Sequence, residues 1–308
     1  MRRGWMVLLL VSGPVWCADF TLTCKLPFAS IAPATDAHAA CGIDGSEKGG
    51  VAAPAAKILE DHAKNDLCEP FATPVTVDFT ILRNMQAQSP SKTPLEAKTN
   101  PSRASLKNFF TLGQQKIGEG TVVRLMAFIK EAHISDCTDS ASAGEEVNCK
   151  LLGMDHNDFH IPLLDPSKPN AQQQDECTSV TAEMIPHFRP AAWNSIDLKT
   201  PTMNPVRVTG PLFFDDSHTV CTFSSSGAVT KRETPARSSL WEIHPVYQLE
   251  VCAGTSAAQC DVSSASTTMW TPYDQWVTTH ASQTTASGKS QRSACPNGTS
   301  TGSKTKGK

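Results

Sequence analysis

The chain has 308 residues, a formal net charge of −3 and 11 cysteines. A near-neutral balance argues against a protein that coats nucleic acid or an anionic membrane, because both need a basic field. The length is enough for one good core with extensions. After the first residues, no apolar run approaches the roughly 20 residues that a membrane-spanning helix requires.

The chain opens with Arg2 and Arg3, a short apolar run Trp5–Val11, and the breakers Gly13 and Pro14. This is the layout of a secretory signal peptide, residues 1–18, so the protein is expected to be exported. Cys17 offers a rival reading as a lipid-anchored cysteine, but Val15-Trp16 stands where small residues are wanted. With Cys17 removed by cleavage, ten cysteines remain, an even number that suits a disulfide framework in an oxidising compartment. None forms a Cys-x-x-Cys pair, which speaks against zinc-ribbon and thioredoxin chemistry. The pairing predicted here is Cys137 with Cys149, closing a loop rich in Asp, Ser, Gly and Glu.

Residues 19–117 read as a disulfide-bearing α/β extension. Apolar residues at helical spacing predict a helix over Pro54–Leu67, with Pro54 in the first turn. Alternation over Val75–Ile81 predicts a half-buried strand. Proline-rich 86–104 reads as a loop, and a short helix is expected near Leu106–Leu112. Residues 118–252 then offer five strands: Val122–Ala132, Asp158–Leu164, Ser179–Ile185, Val206–Phe214 and Leu240–Val251. A short helix over Pro190–Leu198 would fall between the third and fourth. Three strands, a helix and two strands is the chain order of the OB barrel, a five-stranded Greek-key β-barrel. The expected fold is therefore mainly β, α+β overall. Pro162, Pro211 and Pro245 imply edges, bulges or early strand ends. Residues 253–308, rich in Ser, Thr and Lys, read as a low-complexity, largely flexible tail. Trp270, Tyr273 and Trp276 within it would anchor it to the domain.

Several blocks also carry a resemblance. GEGTVVRLMAFIKEAHISDC, NDFHIPLL, ECTSVTAEMIPHFRPAAW, VRVTGPLFFDDSH and SSLWEIHPVYQLEVC together resemble a group of uncharacterised secreted bacterial proteins with an OB-like β-barrel. The likeness covers roughly residues 38–252. It implies the fold and export, and brings no activity with it.

Side chains alternate faces along a strand. On the expected strands 2 to 5 this gives one apolar face and one polar face. The polar one carries Asp158 and His160, then Thr181 and Glu183, Arg207 and Thr209, and Glu242 and His244. Two readings follow. Either this is the solvated outside of the barrel, its His and Glu pairing with each other and with Arg207, or His160, Glu183, Glu242 and His244 converge on a divalent metal, with His187 as a further participant. No His-Glu-x-x-His, Gly-x-Ser-x-Gly, phosphate-loop or dinucleotide motif occurs, so no catalytic residue and no obligatory cofactor is assigned. Phe188, Arg189 and Trp193 are candidates to stack on a ligand, or to pack the barrel end. Asp215, Asp216 and His218 suit a metal or simple turn chemistry. The expected function is a non-enzymatic binding module using the polar face for a glycan, cell-envelope or protein ligand. The alternatives are a metal-dependent hydrolase and a structural envelope-associated protein.

Overall fold

The computed structural model describes residues 41–47, 50–67, 69, 73–89, 103–130, 133–134, 145–151, 157–186, 189 and 203–280. The signal peptide, Cys137, His187, Phe188, Trp193 and the helix expected at Pro190–Leu198 lie outside them. In chain order the elements begin with the hairpin β1 (Ser46–Glu47) and β2 (Val51–Ala52), then α1 (Ala55–Lys64), β3 (Val75–Val77) and α2 (Phe79–Gln88). A second hairpin, β4 (Phe110–Leu112) and β5 (Gln115–Ile117), leads into β6 (Val122–Ile129), β7 (His133–Ile134), β8 (Phe159–Leu164) and β9 (Val180–Met184). Then come β10 (Val206–Phe214), β11 (Thr222–Phe223), β12 (Val229–Lys231), β13 (Trp241–Ile243), β14 (Gln248–Cys252), β15 (Trp270–Pro272) and α3 (Tyr273–Thr279).

The protein is mainly β, built on a closed five-stranded mixed barrel. Its strands follow the order β6, β8, β9, β13, β10, and β10 closes back on β6. Only the β9–β13 pairing is parallel; the others are antiparallel. This is the Greek-key order of an OB-like barrel. The interior is the apolar face read from the alternation. Leu125, Ile161, Leu163, Ala182, Val208 and Ile243 are fully buried there, in one cluster that also takes in Phe79, Leu82 and Met85 of α2. Each buried Leu, Ile, Val, Phe or Met among them contributes roughly 1.5–3 kcal/mol.

Four local expectations are corrected. The strand from Val75 stops at Val77, because the Asp78 carboxylate accepts from Ile81 N (2.8 Å) and caps α2. Phe79 and Leu82 then face the core at helical spacing. The helix expected over Leu106–Leu112 is a 3-10 turn, Arg103–Leu106, followed by a hairpin turning at Gly113, whose φ of +61° suits glycine. The fifth strand breaks at Pro245: β13 pairs with Leu212–Phe214 and β14 with Val206–Thr209 of the same β10. Gly210 lies at this crossing, where a Cβ would stand 2.4 Å from Pro245 O. Finally, residues 253–280 form structure rather than a flexible tail. β15 pairs with β14, Cys252 is bonded to Cys260, and Trp270, Tyr273 and Trp276 are buried anchors.

Among the described residues there are three disulfides: Cys41–Cys149, Cys177–Cys221 and Cys252–Cys260. The predicted Cys137–Cys149 pair is overturned, since Cys149 is bonded to a cysteine 108 residues earlier. No described helix is long and apolar enough to cross a membrane.

Candidate metal centre

Three neighbouring strands place the central residues in one row. His160 of β8 stands directly opposite Glu183 of β9. In the parallel β9–β13 pair Ala182 is level with Ile243, so the next residue on each chain brings Glu183 beside His244. Opposed residues of paired strands have Cβ atoms about 4.5–5.5 Å apart. Here the Glu183 carboxylate fills the space between two imidazoles. Its Oε1 lies 3.2 Å from His160 Nε2 and its Oε2 lies 3.0 Å from His244 Nε2. Asp158, two residues before His160 and on the same face, puts Oδ2 3.5 Å from His244 Nε2. Glu145 puts Oε1 3.5 Å from His160 Nε2.

The row is not on a wet surface, which corrects the solvated-face reading. His160 is 7% exposed, Glu183 3%, Glu242 1% and His244 0%. The cover comes from the extension. Ala63 of α1 and Ile43 pack on Phe213, an outward residue of β10 whose ring meets that of His244 edge-on at 5.4 Å. Lys64, at the end of α1, points its ammonium toward the Phe213 ring and toward Glu145 and Glu60. Beyond α1, Tyr247 Oη donates to Asp66 O (2.5 Å) and accepts from Glu69 N (3.1 Å), tying the chain to the barrel. The Cys41–Cys149 bond joins the start of this cover to the turn Glu146–Asn148, next to Glu145.

Not every candidate joins the row. Glu242 shares its face, but its carboxylate is held by Arg237, which also donates to Asp215 (2.9 Å). Arg207 is elsewhere, in a two-pronged pair with Glu250 (2.7 and 2.9 Å) and stacked over Trp270. Asp215 accepts from Ser217 N (3.1 Å) and from Ser217 Oγ, and contacts His218, as turn chemistry predicts; Asp216 lies 3.7 Å from Arg103. Arg189 donates to Asn157 O (2.7 Å) and lies over the Phe159 ring, so it packs the barrel rather than a ligand.

Burial raises the cost of every charge here, and the pairing decides where the protons sit. Burial opposes charge on His244, but Glu183 and Asp158 outweigh it and lift the imidazole to about 10. His160 is likewise raised against burial, by Glu183 and Glu145. Burial pushes Glu183 up, yet His160 and His244 hold it well below the usual carboxylate range. Glu145 is lowered against burial, chiefly by Lys64. Asp158 is raised by burial and by Glu145, and Glu242 is raised by burial, with Arg237 opposing.

The donors form two sets, Glu145/His160/Glu183 and Asp158/Glu183/His244, with ligand atoms inside each set within 4.8 Å of one another. Imidazole and carboxylate without thiolate suit zinc, manganese, iron or cobalt as divalent ions. Alternation along the strands was the signal that located His160, Glu183 and His244. Asp158, two residues before His160, carries the same signal and adds a ligand beyond the four expected from the sequence. Glu145 and Lys64 had none, since they arrive from segments distant in sequence. Compared with family models, with curated proteins and with solved structures, the chain has no match.

Proposed function

We propose that this is an exported bacterial metal-binding protein, a non-enzymatic module whose ligand is a divalent cation held under the cover on the outer face of the barrel. Three disulfides among the described residues support a site of action outside the reducing cytoplasm. One observation carries the metal reading: the Glu183 carboxylate lies between two imidazole Nε2 atoms at 3.2 and 3.0 Å, each imidazole with a second carboxylate at 3.5 Å. Nε2 of the fully buried His244 faces two carboxylate oxygens at once, Glu183 Oε2 and Asp158 Oδ2. A divalent cation seated between them would take that imidazole and both carboxylates as ligands.

Binding is favoured over hydrolysis by access. The side chains of Asp158 and His244 are 0% exposed and that of Glu183 is 4%, so only the His160–Glu145 edge approaches solvent. A glycan or protein laid on this face would first have to displace α1. The test is calorimetric titration of the oxidised, chelator-stripped protein with Zn2+, beside a His160→Gln/His244→Gln variant. Saturable binding that disappears in the folded variant supports the reading. Absence of binding in the wild type, or equal binding by both, refutes it.

A further inference from the structure

Resting on that reading, we infer that the centre holds two divalent cations, with the Glu183 carboxylate bridging them. The donors divide into two sets of three, and Glu183 is the member they share. It serves them through different oxygens, Oε1 toward His160 and Oε2 toward His244. A carboxylate that chelates one ion turns both oxygens to the same place; this one turns them to separate imidazoles. The two halves also match in composition. One offers His160, Glu145 and an oxygen of Glu183; the other offers His244, Asp158 and the remaining oxygen.

A single ion would use one half and leave the imidazole and terminal carboxylate of the other buried without it. Two ions use all five side chains. Carboxylate-bridged pairs at about 3.5–4 Å are a common arrangement of two-metal sites. With three protein donors apiece, each ion keeps at least one coordination position for water or another small ligand.

The experiment uses the full oxidised chain, stripped with chelator and dialysed against Zn2+, then against Mn2+ in a parallel sample. The expected result is about two Zn2+ per chain by metal analysis, as in other two-metal sites. The Mn2+ form should show the paramagnetic resonance of a coupled pair instead of the hyperfine pattern of isolated Mn2+. Asp158→Asn/His244→Gln should keep one ion and give the isolated pattern, and Glu183→Gln should lose both. One ion per wild-type chain with the isolated pattern would overturn the bridged pair and leave metal binding standing. No ion at all would overturn both. Wild-type stoichiometry decides the matter even if a variant fails to fold.

Discussion

On β8, β9 and β13, Ile161, Ala182 and Ile243 face inward, while His160, Glu183 and His244 stand one residue along and face outward. All six are nearly or wholly buried, but burial has opposite consequences on the two faces. Inside, removing apolar surface from water is itself the driving force. Outside, burial costs several kcal/mol for each ion, and only mutual pairing offsets it. An apolar patch of the same shape is often as stable or more so. The polar face is thus an expense that the fold alone does not need, which is what a ligand-holding site looks like.

The largest effect should come from substituting one residue on each face. Glu183→Gln leaves two raised imidazoles without their shared counter-ion and should cost about 3–5 kcal/mol. Ile161→Ala should cost a similar amount, about 2–5 kcal/mol, through a cavity. Denaturant titration measures both losses, and Zn2+ uptake separates them: the first variant should lose it and the second keep it. Equal retention by both would erase the distinction between the faces.

Next in size is the cover. Cys41→Ser/Cys149→Ser opens a loop spanning 108 residues and should cost about 2–4 kcal/mol. The barrel interior contains neither cysteine, so its β circular dichroism should persist. Zn2+ affinity should fall, because Glu145, beside the turn that Cys149 closes, reaches the row only through the covering segments. Unchanged affinity would show that the cover is dispensable to the site.

A pH effect should come from Asp61 on α1, which burial lifts from 3.8 to about 8. The folded protein holds this proton more tightly than the unfolded chain does. The stability it contributes is complete below about pH 4 and is lost as pH rises through about 8. Asp61→Asn should therefore flatten the decline between those values, as denaturation midpoints across the range will show. The smallest effect belongs to the open surface. Arg232 and Asp175 form an ion pair with side chains 50% and 43% exposed, so Arg232→Ala should change stability by about 0–1 kcal/mol and leave Zn2+ uptake intact.

The same two faces mark what could be read from the sequence. Period-two alternation is local and strong in β8, β9 and β13, so the row of His160, Glu183 and His244 and the OB-like strand order were legible together. The cover was not. Whether a polar strand face meets water or another segment depends on contacts between residues far apart, and ten cysteines do not state their partners. Glu145 and Lys64 consequently looked like ordinary charges in a loop and a helix. At Val75–Ile81 the alternation itself misled, because Asp78 is an N-cap that changes the period from 2 to 3.6. In the segment after Cys252 the three aromatic anchors were legible, but polar composition hid the strand β15 and helix α3 that carry them.

The most direct test is anomalous diffraction at the zinc edge from crystals of the oxidised protein equilibrated with Zn2+. A metal centre predicts anomalous density beside Glu183, one peak toward His160 and Glu145 and one toward His244 and Asp158. A featureless map there, with both imidazoles still resting on Glu183, would make the row a buried ion-pair network and contradict the metal reading.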